Sequence, residues 1–318
     1  MRKMTRLLFA SDFHGSDMFF RKFIRAAYNY KAQVLIGGGD IAGKAMIPII
    51  HKGNGVYEGY LFGSKHVAET NKELEKFKQS ISNTGFYPIV LEPDEAKELE
   101  NDKEKMDKVF NEMMTNRLKE WMELAEEHLS KKGIKFFFMP GNDDPYIIDE
   151  VINKFDFVVN HDGKKVWIDE NHEMVGLAYA NITPWHCERD IPEEELRVKI
   201  ENVISQIENM KNAIFSFHCP PYDTVIDQAP EIDENLKIKA KGGQVVMKSV
   251  GCKAVRETIE KYQPLLSLHG HIHESAGFEK IGRTIIANPG SEYAEGILKA
   301  VLVNLGKDEV IGRMIISG

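Results

Sequence analysis

Five short clusters hold the side chains able to do chemistry: Asp12-Phe13-His14, Gly39-Asp40, Gly141-Asn142-Asp143-Asp144, His218 and Gly270-His271-Ile272-His273. The donors are carboxylate and imidazole, with the amide of Asn142 the one exception. That mixture suits first-row divalent cations, and two adjacent cations are a device for displacement at phosphorus. An Asp-x-His at a strand end points both side chains to one side, by the two-residue strand period. The same holds for His271 and His273, although as neighbours they could serve different cations. Asp40 follows three glycines, which let backbone and cation approach closely. A carboxylate can bridge two cations about 3.5–4 Å apart, and water held between them becomes a nucleophile at neutral pH. Singly these features are weak, since an isolated Asp-x-His is more often a cap or turn and a lone His218 more often structural. Three histidines at 269, 271 and 273, after a buried strand, are harder to assign to packing. Of these, His269 is expected to be packed or to support the other two.

Such residues work only if rigid elements bring them together, and the apolar runs supply those elements. Residues 5–10 read as a buried strand, 17–30 as a helix with Phe20, Phe23, Ile24 and Ala27 on one face, and Val34-Leu35-Ile36 as a second buried strand. This strand–helix–strand unit predicts a right-handed parallel crossover. Asp12 and Asp40 then emerge side by side at the C-terminal strand edge, where open α/β sheets place ligands. Residues 44–93 break the pattern with Gly53, Gly55, Gly59 and Gly63, and read as an excursion with a hairpin or short helices. From Pro93 a long helical segment carries the stripe Met106, Phe110, Met113, Leu118, Trp121, Ala125 and Leu129, expected to face the core. Gly133 ends it, and Lys135–Met139 reads as a strand delivering Gly141-Asn142. Short strands are expected near 156–159, 164–168 and 173–178, then a helix over about 192–210. Ala213–Phe217 reads as a strand running into His218, 219–247 as a loop, 248–262 as a helix, and Leu265–Leu268 as the strand delivering His269 to His273. The chain begins as an α/β unit and ends β-rich, which predicts two sheets packed together with helices outside.

At 318 residues, the chain suits one domain over 1–318 with a cap-like, mostly helical insertion at 44–130. That insertion could roof the site, restrict access or form a contact between copies in a homo-oligomer. A net charge of −8, with no basic window, disfavours long nucleic acid as a partner. The cysteines, Cys187, Cys219 and Cys252, are odd in number and far apart, so a disulfide framework is not expected and a reducing, cytoplasmic setting is. Cys219 is expected to be a small buried residue beside His218. No apolar run reaches bilayer-spanning length, and Leu7–Ala10 is too short for a signal-peptide core.

With the pattern D-x-H, G-D, G-N-x-D, H and G-H-x-H in this order, the sequence resembles the calcineurin-like metallophosphoesterase superfamily. The resemblance runs from Asp12 to His273, with 44–130 the least covered. Further stretches, His218-Cys219-Pro220-Pro221-Tyr222, Gly270 through Ser275 and Asn288-Pro289-Gly290, are similar to small prokaryotic members. The resemblance implies a four-layer α/β/β/α sandwich with two mixed sheets. It makes Asp12, His14, Asp40 and His273 the ligands of one metal; Asp40 as bridge, with Asn142, His218 and His271, would hold the other. The implied activity is attack by metal-bridging hydroxide on a phosphodiester or phosphomonoester of a small molecule or nucleotide. Manganese is the expected activating metal, and Fe, Zn or Ni could occupy the same ligands. A catalytically silent scaffold and a nuclease are the alternatives.

Two departures stand out. The family often has His directly after the Asn, and this chain has Asp143 there. A carboxylate beside two dications stays ionised and is a poor acid, so Asp143, with Asn142, is only a candidate catalytic residue, and diesters are favoured as substrates. Asp144 is expected to orient its neighbours. Ile41-Ala42-Gly43-Lys44 lacks the V-D-R-G continuation of the protein Ser/Thr phosphatases, which argues against a phosphoprotein substrate. The loop Thr183-Pro184-Trp185-His186 could border the substrate. Lys44 and Arg189 could contact phosphate, but exposure to solvent is the expectation for each.

Overall fold

Alternate side chains of the strand Thr5–Ala10 enter two different cores, as the strand period requires. Leu8 and Ala10 face a layer of helices, while Leu7 and Phe9 face a second sheet. In the computed structural model, which describes residues 4–318, this strand lies within a six-stranded mixed sheet. The order across it is Val310–Ser317, Lys299–Leu305, Thr5–Ala10, Val34–Gly37, Lys135–Phe138 and Val158–Val159. The last four are mutually parallel, with Leu7 opposite Val34 and Ala10 opposite Gly37. A second six-stranded mixed sheet runs Gly277–Ile281, Thr284–Asn288, Leu266–Leu268, Ile214–Phe217, Glu173–Leu177 and Lys165–Trp167. Its four central strands are also parallel.

The inner faces meet through Leu7, Phe9, Val34, Ile36, Met174, Ile214, Leu266 and Leu268, among others. Helices Asp17–Asn29, Lys103–Leu129 and Ile147–Ile152 cover the outer face of the first sheet. Helices Glu193–Ile204 and Lys253–Tyr262 cover that of the second. The result is the expected four-layer α/β/β/α sandwich. Phe13, between the two site residues Asp12 and His14, is fully buried, with its ring 5.1 Å from Phe138, 5.3 Å from Phe19 and 5.5 Å from Phe23. Trp121 lies flat on Phe20 at 4.3 Å, which ties the long helix to the helix after the first strand.

The segment after Lys44 forms a four-stranded sheet of its own, ordered Ser64–Ala68, Tyr57–Leu61, Met46–His51, Tyr87–Leu91, where the sequence suggested at most a hairpin. Helix Asn71–Asn83 covers one face, packing its Leu74, Phe77 and Ile81 with Ile49, Leu61 and Ala68 of the sheet. Helix Pro93–Asn101 follows, and Asp102 separates it from Lys103–Leu129 by capping Lys105 N at 3.0 Å. The stripe on the long helix is buried against the first sheet from Leu118 to Leu129, while its Met113 is half-buried and the adjacent Met114 is buried instead. Its N-terminal half lies beside the insert, with the Phe110 ring 5.6 Å from Tyr87 and Met106 exposed.

Two helix boundaries differ from expectation. The helix expected to reach residue 210 stops at Ile204, because the Glu173 carboxylate accepts from Glu208 N and Asn209 N and draws the chain off the helix axis. The helix expected from 248 starts at Lys253, because Met247–Ser249 is held extended against Gln228–Pro230. No helix among the described residues is long and apolar enough to cross a membrane.

Candidate metal centre

Where the strands end, the chain turns through left-handed backbone at residues that are not glycine: Asp12 (φ 60°), His14 (φ 41°), Asp40 (φ 50°) and His271 (φ 67°). Such conformations cost roughly 1 kcal/mol or more each, and persist where surrounding structure over-determines them. Here the loops hold one another. Asp12 N donates to Gly39 O (2.9 Å), His14 N to Asp40 O (2.9 Å) and Gly15 N to Ile41 O (2.8 Å), continuing the parallel ladder past the strands. His271 N donates to the Asp12 carboxylate at 3.0 Å, joining the two sheets. The approach is close enough to require glycine: a Cβ on Gly141 would lie 2.2 Å from Asp40 Oδ1, and one on Gly270 2.0 Å from Ser11 Oγ.

Three groups of donors converge, with ligand atoms in each within 4.8 Å of one another: Asp12, His14 and His273; Asp40, His218 and His271; and His14, Asp40 and Asp143. Asp40 faces both of the first two groups, its Oδ2 3.6 Å from His14 Nε2 and its Oδ1 3.3 Å from His218 Nε2. His273 Nε2 is 3.4 Å from Asp12 Oδ1 and 3.1 Å from His14 Nε2. Asn142 donates through Nδ2 to Asp190 (2.8 Å), so its Oδ1 is buried without a hydrogen-bond partner. His218 Nδ1 donates to Gly38 O (2.9 Å), and its buried Nε2 likewise has none. Buried polar atoms without partners are costly and uncommon. Imidazole nitrogens gathered around the Asp12 and Asp40 carboxylates, with a buried amide oxygen lacking a partner on the neighbouring loop, are donors that suit a divalent cation, so the residues fit such ions.

The electrostatics agree. Burial alone would raise Asp40, but the neighbouring His218, by its charge and its hydrogen bond, outweighs it and holds the carboxyl well below its ordinary value. Burial pushes His14 down to about 3 and His271 down to about 4, keeping both imidazoles neutral, the form that binds metals. For His218 burial acts downward too, yet Asp40 and Asp12 raise it to about 10. One positive charge beside Asp40 is therefore favoured, and a cation bound through Nε2 has to displace that proton.

Further residues hold these donors in place. Asp144 accepts from Ile41 N (2.9 Å), Ala42 N (2.8 Å) and Gly141 N (2.8 Å), tying the Asp40 loop to the Asn142 loop. Burial and the Asp40 carboxylate raise Asp144 to about 7 against those three donors. Asn288 donates to Gly270 O and Ile272 O, fixing the histidine loop, and Ser291 Oγ donates to Asp12 O (2.8 Å). His269 is packed, with Nδ1 2.8 Å from Phe217 O, and Cys219 is buried.

Sequence reasoning missed Asp190, which orients Asn142, and Tyr293, whose ring stands 4.6 Å from His14. It also placed Arg189 wrongly. That side chain is buried, pairing with Asp149, donating to Asp144 O (3.0 Å) and stacking 4.4 Å from the Tyr146 ring, so it braces the Asn142 loop rather than facing solvent. Lys44 is half-exposed at the site, its Nζ 2.8 Å from Asp143 Oδ2. The loop before Arg189 approaches the site through Cys187, whose Sγ is 3.5 Å from Asp143 Oδ1, while Trp185 projects outward. Ile191-Pro192 after Asp190 carries no motif that singles the carboxylate out.

Two mixed sheets between helices, with Asp, His and Asn delivered from their strand ends, form the α/β/β/α sandwich that the sequence resemblance implies. No protein-family model matches the chain. It is 33% identical over 153 residues to the uncharacterized protein MJ1162 of Methanocaldococcus jannaschii, a match covering 48% of this chain and 62% of that relative's length. Among solved structures, TT1561 of Thermus thermophilus is similar at a TM-score of 0.54 and 15% identity, with 99% of each chain covered. Another solved structure aligns at a TM-score of 0.57 and 17% identity, over 98% of this chain and 99% of its own. These structural likenesses bear on the fold alone.

Proposed function

We propose that the chain is a dinuclear metal-dependent phosphoesterase, hydrolysing a phosphodiester, or a phosphomonoester, of a small molecule or nucleotide. The observation that carries this reading is the pair of donor groups meeting at Asp40, with His218 Nε2 3.3 Å from its Oδ1 and Asn142 Oδ1 buried without a hydrogen-bond partner. Asp12, His14 and His273 would hold one cation, Asn142, His218 and His271 the other, with Asp40 serving both. Bound there, the cations supply Lewis-acid activation of water and of the phosphoryl oxygens. The nitrogen and oxygen donor set suits manganese, and accepts iron, zinc or nickel.

The residues of the chain do the rest. Asp143 N donates to Asp40 Oδ1 (3.1 Å), fixing the carboxylate's orientation, while the Asp143 side chain pairs with Lys44 Nζ at 2.8 Å. A cleft of about 460 Å³ leads away from His273 past Ser291 and Tyr293, room for a small organic group. The net charge of −8 favours such a substrate over a long nucleic acid. The three free cysteines suit a reducing, cytoplasmic compartment. We read residues 1–318 as one domain, with 44–130 as its insertion.

Hydrolysis of bis(p-nitrophenyl) phosphate by manganese-loaded protein tests the reading. Asp40→Asn and His218→Ala should each lower kcat by on the order of 10³-fold or more, about 4 kcal/mol of transition-state stabilisation, with circular dichroism unchanged. Folded variants that turn over like the parent would sink the assignment.

A further inference from the structure

Residues 228–249 form a narrow ribbon in which no side chain is buried. Its backbone is nevertheless ordered. Gln228–Pro230 pairs antiparallel with Met247–Ser249, and Ala240–Lys241 with Gln244–Val245. Gly242 and Gly243, both left-handed, close the two-residue hairpin at the tip. Asp233 caps a second turn, accepting from Asn235 N (2.8 Å) and Lys237 N (3.0 Å). The strand period sorts the side chains. Met247 stands opposite Pro230, Val245 opposite Ala240 and Ile238 opposite Ile232, and paired residues share a face, so all six lie on one side. Ile238 is 58% exposed, Val245 49% and Met247 46%. Lys237, Lys239, Lys241 and Lys248 alternate with them onto the opposite side, where Lys239 pairs with Glu231 at 2.7 Å and the other three stand exposed. Sequence reasoning passed over this stretch as a loop, although residues 236–248 hold four lysines and no acid.

An exposed apolar face on an ordered ribbon calls for a partner. A second copy stacking its ribbon face to face would bury only these few side chains, well short of the roughly 800 Å² per partner of a stable interface. Lysines backing an apolar face instead match an anionic lipid surface in both chemistry and layout. We propose that the ribbon is a lipid-docking arm, seating Ile238, Val245 and Met247 in the headgroup boundary of a bilayer while its lysines meet anionic headgroups. A ribbon one strand-layer thick keeps those ammonium groups within a Debye length of the headgroups, about 8 Å at physiological salt, and their long stems can bend towards them. The arm lies on the bilayer without spanning it. Because the chain carries −8 overall, this basic patch also decides which side faces an anionic surface. The root of the arm is fixed beside the candidate centre. Ser275, two residues past His273, donates through Oγ to Gln228 O, and Asn288, which fixes the histidine loop, donates to Ile226 O at 3.3 Å. Docking therefore holds the centre beside the lipid surface. The inference goes beyond the phosphoesterase reading and does not depend on it, since binding needs no turnover.

Co-sedimentation of the full chain with vesicles of phosphatidylglycerol and phosphatidylcholine in equal parts tests the proposal. The parent should pellet with them, pellet far less with phosphatidylcholine alone, and detach as salt rises. Lys237→Gln and Lys241→Gln together should weaken binding about 25-fold, at about 5-fold per lysine. Ile238→Ser with Val245→Ser should weaken it about 10-fold or more with every lysine in place. The substituted side chains are all exposed, so each variant should keep the parent's melting temperature. A parent that stays in solution with the anionic vesicles overturns the proposal, as does vesicle binding that none of these changes weakens. Binding that is shared with single-stranded DNA, and lost with the lysines but not with the serine changes, assigns the arm to polyanions and overturns the lipid role. A dimer in analytical ultracentrifugation that Ile238→Ser with Val245→Ser dissociates, without vesicle binding, assigns the face to a second copy and overturns it too.

Discussion

Asn142 can offer oxygen to a cation only while its amide faces one way. Asp190 enforces that orientation by accepting from Nδ2, and is itself fixed by Thr183 N and Cys187 N, each at 3.0 Å. Removing the carboxylate in Asp190→Ala leaves the amide free to rotate. Affinity at one of the two proposed metal sites should fall roughly 10–100-fold, the usual effect of losing a group that orients a ligand. Manganese titration would show it as one weakened step, and two unchanged steps would contradict the assigned role. Asn142 was legible in the sequence because Gly141, Asp143 and Asp144 surround it in a recognisable order. Asp190 was not, since the contact spans 48 residues and the carboxylate sits before an ordinary acidic helix start. Arg189 misled for a similar reason: a charged side chain reads as exposed until three partners and a tyrosine ring are seen around it.

The strand ends are the elements that make a site from distant residues, and they were the most legible part of the chain. Short apolar runs followed at once by Asp, Asn or His have few other readings. The insert sheet was hidden because its strand Met46–His51 contains Pro48, a residue that argues against a strand, and pairs in parallel with Tyr87–Leu91 far along the sequence. Helix ends set by a remote carboxylate, as Glu173 sets Ile204, were equally invisible. Phe13 shows how an element carries the site. Its ring is clasped by five aromatic neighbours, from two helices and the strand Lys135–Phe138, between two proposed ligands. Phe13→Ala should cost about 3–5 kcal/mol in urea denaturation, the range for a buried aromatic, and should weaken metal binding as Asp12 and His14 lose their anchor. A loss under about 1 kcal/mol with intact metal binding would show that the loop is held without it.

At the scale of the whole molecule the centre belongs to neither sheet. Asp12, Asp40 and Asn142 follow strands of the first, and His218, His271 and His273 follow strands of the second. Whatever loosens the packing between the sheets therefore loosens the centre. His161 lies along that seam, with Nε2 3.1 Å from Ser216 Oγ and its ring 6.2 Å from Phe137. Burial lowers its pKa to about 3. The unfolded chain, with histidine near its ordinary value of about 6.5, takes up the proton first. The stability from burying neutral His161 is thus complete above pH ~6.5 and is lost as pH falls from there towards 3, by about 1.4 kcal/mol per pH unit at most. Denaturation at about pH 7.5 and about pH 5 should show the parent losing more stability than His161→Gln. Equal losses would assign the effect to other groups.

The proposed sharing of Asp40 between two cations is tested most directly by calorimetric manganese titration of the parent and of Asp40→Asn. The parent should bind two cations per chain, and Asp40→Asn should lose tight binding at both sites together, because one carboxylate serves both. Two tight sites surviving in Asp40→Asn, or only one weakened while the other is untouched, would contradict a shared centre.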